Sequence, residues 1–134
     1  MSSIPTADDV LEPDEAVYHL PEVARMLGIP LSKVHQQLRE GHLVAVRRGK
    51  DVVVPQIFFD DSGHLVKTLT GLLVVLRDGG YRETEIMRWL FTPDASLTIR
   101  RDGSTEPVVN ARPVDALHSH QAREVVRRAQ ALAY

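Results

Sequence analysis

The sequence predicts a mainly α-helical fold with one small β-hairpin. Most stretches with a clear pattern place apolar residues three or four positions apart, which is the spacing of a buried helix face. One stretch, residues 43–54, instead concentrates valines on either side of Gly49, as two short strands joined by a turn would. Hydrophobic residues make up 43% of the 134 positions, which is enough to form a core beneath these elements.

Two short helices joined by a tight turn are predicted near the start of the chain. Val23 and Leu27 are four positions apart and therefore share one face of the first helix. Gly28 follows them, and a glycine accepts the positive φ angle that such a turn requires. Pro30 cannot continue the first helix but can lead into the second.

The second helix is predicted over residues 31–40. Val34 and Leu38 anchor it to the first helix, and Gly41 ends it. The predicted hairpin begins at residue 43, two positions after Gly41. A helix, a turn, a second helix and a hairpin in that order are typical of a winged helix-turn-helix, which we assign to residues 18–59.

A helical C-terminal domain packed on this unit is predicted over residues 64–134. Residues 70–78 are apolar nearly all round and favour a buried helix capped by Thr68 or Thr70, although the adjacent valines leave a buried strand open. A second helix begins at Glu83 and contains Trp89, which we expect in the core. Residues 98–112 are predicted to be a loop. The last helix begins near Pro113, and its predicted apolar face consists of Val114, Leu117, Gln121, Val125, Ala129 and Leu132.

Charge is unevenly distributed along the chain, although the net charge is only −2. Residues 1–17 hold five acidic residues and no basic one, and we expect them to form a mobile tail. Residues 18–58 hold six basic residues against three acidic ones. Because salt screens distant charges, this local excess matters more than the total. The acidic tail could fold over the basic block and compete with a polyanion.

The basic block has side chains suited to double-stranded DNA. Glutamine pairs with adenine and arginine or lysine with guanine in the major groove, whereas cations around a glycine turn suit the phosphate backbone. We therefore expect helix 31–40 to read the major groove, with Gln36 and Arg39 near the bases, and hairpin 43–54 to contact the backbone. The candidate DNA-binding residues are Ser32, Lys33, Gln36, Gln37, Arg39, Arg47, Arg48 and Lys50.

Catalytic and metal-binding patterns are missing from the sequence. The chain has no cysteine, which excludes disulfides and thiolate metal sites. Asp115 and His118 have helical i, i+3 spacing, but two ligands are too few for a metal site, and His120 lies on another face. No phosphate-binding glycine loop or nucleophile elbow occurs. We expect no enzymatic activity, no metal and no cofactor.

The sequence also indicates where the protein acts. No apolar run approaches the roughly 18 residues that a membrane span requires. The N-terminus lacks the basic and apolar regions of a secretory signal. We therefore expect a cytoplasmic protein without membrane attachment.

Four segments of the basic block resemble the DNA-binding domain that excisionases share with MerR-type regulators. They are residues 20–24, 27–29, 32–34 and 39–47. The chain departs from the MerR pattern because it has no cysteine for sensing metals or redox signals and no long coiled-coil helix after the hairpin. Sensing by that group's usual chemistry is therefore not expected.

The whole chain is more closely similar to a small actinobacterial (mycobacterial) family of winged-helix DNA-binding proteins. Residues 3–5, 79–93 and 110–134 carry this likeness. It implies DNA binding in the cytoplasm, with a regulatory link to a Ser/Thr protein kinase as a possible addition. Only three residues precede Ile4, so a phosphorylation site in a longer N-terminal extension could be missing here.

The second half also resembles the toxin-binding domain of the Xre, MbcA and ParS antitoxins. The likeness rests on Trp89, Pro93, Leu97, residues 112–117 and Val125, although a longer segment stands where that domain has a short glycine link. It supports an alternative function, in which the C-terminal helices form a protein-interaction module of an antitoxin or a kinase-linked adaptor. The apolar face of the last helix could also pair two copies into a homodimer.

Overall fold

The computed structural model describes residues 4–100 and 103–134. The helices in those ranges are α1 (Leu20–Leu27), α2 (Leu31–Glu40), α3 (Leu69–Asp78), α4 (Glu83–Phe91), α5 (Pro113–Ala116) and α6 (Ala122–Ala133). The strands there are β1 (Val17–His19), β2 (Val46–Arg48), β3 (Asp51–Pro55), β4 (Ile99–Arg100) and β5 (Pro107–Val108). The fold is mainly helical with a small sheet, as predicted. No helix within these ranges is both long and apolar enough to cross a lipid bilayer.

The first half folds as the predicted winged helix-turn-helix. β2 and β3 form the antiparallel hairpin, and β3 also pairs with β1, which gives the strand order β1-β3-β2. The hairpin begins at Val46, the first residue paired with β3, rather than at residue 43; Leu43, Val44 and Ala45 precede it and are buried. β1 was not predicted, since its three residues are too few to show an alternating pattern.

The N-terminal arm, residues 4–16, is packed against the winged unit. The expected mobile tail over residues 1–17 is therefore wrong for this arm, and residues 1–3 lie outside the described residues. Ala7 and Leu11 are buried. The Ala7 N–H donates to the Ala45 carbonyl at 2.8 Å, and its carbonyl accepts from the Arg47 N–H at 3.0 Å. The acidic composition suggested disorder, but two apolar anchors and the free edge of β2 hold the arm.

Arg48 ties the N-terminal arm to the hairpin. Its Nε and Nη2 donate to the two carboxylate oxygens of Asp9 at 2.9 and 3.2 Å. Further bonds run to the carbonyls of Glu12 at 3.1 Å and Glu15 at 3.4 Å. Hydrogen bonding to this guanidinium holds the pKa of Asp9 below its ordinary value, so the carboxylate is charged at neutral pH. The arm thus neutralises one cation of the hairpin.

The second half begins with α3 and α4, both close to their predicted positions. α3 is a helix rather than a strand, with Leu69, Leu72, Leu73 and Leu76 fully buried and Val74 42% exposed. Its N-cap is Thr68, whose hydroxyl makes no capping hydrogen bond. Glu83 begins α4 as predicted.

Trp89 is only partly buried, which corrects its predicted place in the core. Ile86 and Leu90, three positions before it and one after, are the residues of α4 on this side that are fully buried. The tryptophan side chain therefore stays partly open to solvent, where it lines a groove between α4 and α6.

The C-terminal helix is broken, whereas the sequence predicted one apolar face from Val114 to Leu132. α5 ends at Ala116, and α6 begins only at Ala122. Buried Ser119 explains the break, because its hydroxyl donates to the Ala116 carbonyl at 2.8 Å and accepts from the Gln121 N–H at 3.0 Å. Such local side-chain bonds compete with the helix ladder.

The end of the predicted apolar face is also less buried than expected, since Leu132 is 50% exposed. The predicted loop at 98–112 contains the short antiparallel pair β4–β5, with Ile99 opposite Val108. Two residues per strand are below what a sequence pattern can indicate.

The two halves share one hydrophobic core, which runs from Ala7 in the arm to Ala129 in α6. The rings of Phe58 and Phe91 meet across the junction with centroids 6.1 Å apart. The Nε2 of His118 lies 2.6 Å from the Ile57 carbonyl.

Ion pairs reinforce this junction. The Arg112 guanidinium contacts Asp115 at 3.0 Å and Glu15 of the arm at 2.5 Å, and it lies over the ring of Phe91. Hydrogen bonds to Asp115 and then to Glu15 hold the pKa of Arg112 above its ordinary value. The helical half is thus built onto the winged unit through charged as well as apolar contacts.

Close packing of α3 on α6 leads to a stability prediction. A Cβ added at Gly79 would lie 2.6 Å from the Ala133 Cβ and 2.7 Å from its Cα, although the backbone of Gly79 is unstrained. We expect Gly79→Ala to lower the free energy of unfolding by about 1–3 kcal/mol through overpacking. Urea unfolding measures this change. Gly71→Ala within α3 is the control, because an added Cβ there meets nothing within 4 Å and should stabilise the helix. Equal stability of the two variants would contradict the α3–α6 contact.

The arm contact leads to a second prediction, within the hairpin itself. Arg48→Ala leaves the Asp9 carboxylate and the Glu12 carbonyl without this donor, so we expect it to lower the free energy of unfolding by about 1 kcal/mol. The matched control is Arg47→Ala, which removes an exposed neighbouring cation and should change stability by less than about 0.5 kcal/mol. Thermal unfolding of both variants at low and high salt checks this. If both variants melt together, the arm is not held by Arg48.

Candidate nucleic-acid interface

The outer face of α2 is polar and exposed. Val34 and Leu38 are fully buried, and helical geometry places Gln36 directly opposite this buried seam. Ser32 and Arg39 lie on one flank of Gln36. All three side chains are exposed, as predicted, and none forms a hydrogen bond or ion pair with another described residue.

The other flank of Gln36 carries opposite charges. Lys33 is exposed there, as predicted, but Glu40 is exposed as well, two turns further along the helix. The two positive charges of this face are therefore Arg39 on one flank and Lys33 on the other, where Glu40 partly offsets the charge of Lys33.

Gln37 does not lie on this outer face, although the sequence predicted it there. It is partly buried, and its Oε1 is enclosed without a hydrogen-bond partner among the described residues. The reason is its position three residues after Val34, on the flank of the buried seam. An enclosed amide is poorly placed to meet a base edge.

The hairpin tip presents two exposed cations, Arg47 and Lys50. Gly49 lies between them with a φ of +63°, the left-handed conformation that a two-residue turn requires, and nothing crowds it. Arg48, the third predicted phosphate contact, points instead into the N-terminal arm and is held by Asp9. The tip is therefore less basic than the sequence suggested.

Positive charge predominates on the exposed surface of the winged unit. Within the described ranges, its exposed bases are Arg25, Lys33, Arg39, Arg47 and Lys50. Glu40 and Asp51 are the exposed acids, whereas Glu22 is partly buried and accepts the His19 N–H at 3.0 Å. Arg25 was not among the predicted contacts, because the sequence gives no reason for the end of α1 to approach DNA.

The C-terminal end of α2 is covered by a residue of the helical half. Gly41 ends α2 with a φ of +79°, and the Nε of Arg77 donates to its carbonyl at 3.2 Å. Arg77 also pairs with Glu83 at the start of α4. No residue pattern predicts this contact, since 36 positions separate Arg77 from Gly41.

Titratable residues elsewhere form no comparable site. Within residues 4–100 and 103–134, no three histidine or acidic side chains are placed to hold a metal ion together. His118, considered in the sequence as a ligand, has its Nε2 against a backbone carbonyl.

Two family models match the chain, and their limits follow its two halves. Residues 3–59 match the model described as the wHTH domain of DNA-binding protein Rv2175c. Residues 66–133 match the model described as the Rv2175c C-terminal domain of unknown function. The winged helix-turn-helix that was inferred from residue spacing is therefore supported by direct similarity.

A curated relative and a solved structure agree with these models. The DNA-binding protein Rv2175c of Mycobacterium tuberculosis (strain ATCC 25618 / H37Rv) is 72% identical over 134 residues, which cover 100% of this chain and 92% of the relative. The NMR structure of Rv2175c superposes with a TM-score of 0.89 at 73% identity, covering 99% of this chain and 91% of that one. Identity at this level over the full chain leaves one conclusion: the chain belongs to the Rv2175c family of mycobacterial winged helix-turn-helix proteins.

Proposed function

We propose that this protein binds double-stranded DNA in the cytoplasm and acts as a transcriptional regulator. The observation that carries the proposal is the exposed polar face of α2, which lies opposite its buried seam in a unit that matches a winged helix-turn-helix model. The relative at 72% identity is named a DNA-binding protein, and we extend that activity to this chain. A helix of this kind enters the major groove while the wing contacts the adjacent backbone.

The exposed residues divide into two roles in this proposal. Gln36 and Arg39 read base edges, because both can form paired hydrogen bonds in the major groove. Ser32 and Lys33, in the first turn of α2, contact phosphates near the helix N-terminus. Gln37 has no role in these contacts, because its side-chain oxygen is enclosed.

The hairpin supplies the remaining backbone contacts. Arg47 and Lys50 neutralise phosphates beside the groove, and each contact releases counterions. Arg48 keeps the N-terminal arm in place instead of meeting a phosphate directly. Competition between the acidic arm and DNA stays a prediction.

With so few contacts, one copy binds DNA modestly, and tight specific binding usually pairs two half-sites. A homodimer and a link to a Ser/Thr protein kinase both stay predictions. The alternative function, a protein-interaction module, would use the open groove of about 400 Å³ between α4 and α6. Its lining is mostly apolar, with one ion pair between Asp94 and Arg128, and selects no particular partner chemistry. We therefore favour DNA binding.

Salt dependence tests the role of the hairpin. We expect the double variant Arg47→Ala/Lys50→Ala to flatten the plot of log affinity against log salt concentration by about 1.8, because each lost phosphate contact removes about 0.9. Fluorescence anisotropy with a labelled duplex measures the slope. The control is Arg88→Ala/Arg123→Ala, which removes two exposed arginines from the helical half for the same change in net charge. If the two double variants give equal slopes, the hairpin does not contact the backbone.

Sequence discrimination tests the role of α2. Selection from a random DNA pool first identifies a preferred duplex. We then expect Gln36→Ala to weaken binding to that duplex about tenfold, since one paired base contact contributes about 1–3 kcal/mol, while binding to scrambled DNA stays nearly constant. Gln130→Ala on the exposed side of α6 is the matched control and should change neither. A parallel loss for both duplexes would assign Gln36 to the backbone rather than to a base.

A further inference from the structure

One side chain connects the helical half directly to the end of α2, the helix that we propose reads the major groove. Arg77 lies in the last turn of α3, and its Nε–H donates to the carbonyl of Gly41, the residue that ends α2. The last carbonyls of a helix lack partners within the helix and carry its negative dipole end. A guanidinium is therefore well suited to this position, both as a hydrogen-bond donor and as a charge.

The contact is close as well as charged. A Cβ built on Gly41 would lie 2.5 Å from the Arg77 Nε and 2.7 Å from its Cδ, so the arginine stem lies directly over the glycine. Gly41 also needs its positive φ of +79° to end the helix. Both features require glycine at this position, and they allow the end of α2 and the arginine to approach each other without a side chain between them.

The other end of the guanidinium is anchored within the helical half. Its Nη1 pairs with Glu83, the first residue of α4, and this carboxylate is largely buried. Three elements therefore meet at Arg77: it belongs to α3, pairs with α4 and holds the terminal carbonyl of α2. The Arg77 side chain therefore links the end of α2 to both α3 and α4.

The polar groups around this junction are not fully satisfied. The Nη2 of Arg77 is buried without a hydrogen-bond partner among the described residues, and so is the Oε1 of Gln37, one turn before Gly41. Buried unpaired polar atoms are rare because each costs free energy. The hydrogen bonds of Arg77 alone therefore do not explain why its guanidinium is buried at this junction.

We propose that Arg77 is a positioning residue for DNA reading, through which the helical half sets the orientation of α2. This inference rests on the proposed DNA-binding function and extends it to a residue outside the winged unit. Arg77 touches no DNA; it acts through the Gly41 carbonyl. A small change in helix orientation displaces Gln36 and Arg39 together, which harms base recognition more than the tolerant phosphate contacts.

The test compares Arg77→Lys with Arg88→Lys, a matched change at an exposed arginine of α4. Lysine keeps the charge but lacks the planar guanidinium that joins Gly41 to Glu83. Binding to the selected duplex and to a scrambled duplex is measured well below the unfolding temperature. We expect Arg77→Lys to lower the ratio of the two affinities about tenfold, with an unchanged salt slope. Amide signals of Gly41 and His42 should shift in NMR spectra, and Arg88→Lys should change none of these readouts.

The outcomes separate this inference from the proposed function. If the wild-type chain binds neither duplex, the proposed function and the inference fail together. If the wild type discriminates between the duplexes and Arg77→Lys keeps the same affinity ratio, only the inference fails, and Arg77 is merely structural. Should Arg77→Lys not fold, Glu83→Gln provides the second variant, because it weakens the anchor but leaves the Gly41 contact. It should lower the ratio in the same direction, and an unchanged ratio in that variant overturns the proposal.

Discussion

The burial of two side chains on α2 is the constraint on which the rest of the site depends. Val34 and Leu38 are fully enclosed, and burying an aliphatic side chain of this size contributes about 1.5–3 kcal/mol. Because both lie on one stripe of the helix, their burial determines which residues face outward. Gln36 is exposed because it lies on the side of the helix opposite the stripe that holds Val34. The candidate interface is therefore a direct consequence of the packing beneath it.

The shared core gives the helical half a structural role in this interface. Phe58 meets Phe91, and Arg112 holds Glu15 of the arm, so the winged unit is supported from the other half at several points. A winged unit of this size buries little apolar surface by itself. The C-terminal domain then supplies the additional packing, whatever else it binds.

Ion pairing explains how a chain with a net charge of −2 can present a basic surface. In the helical half, Arg112 pairs with Asp115 and Glu15, and Arg128 pairs with Asp94 and Glu124. The carboxylates in these pairs are therefore neutralised by neighbouring arginines. In the winged unit, Arg48 is neutralised in the same way, while the exposed cations of α2 and the hairpin remain without acidic partners among the described residues. The distribution of pairs, more than the total charge, decides where a polyanion can approach.

Sequence alone determined the features that depend on neighbouring residues. The spacing of Val34 and Leu38 predicted the buried face of α2, and Gly28 and Gly41 marked the ends of α1 and α2, because helix periodicity and glycine conformation are local properties. Only the tertiary structure decided the features that depend on distant residues. The arm is ordered because Ala7 and Leu11 find an edge and a core to pack on, and Arg48 turns away from solvent because Asp9 is there. Likewise, Ser119 breaks the last helix through bonds that periodicity does not reveal, and Arg77 reaches Gly41 only because folding brings α3 beside the end of α2.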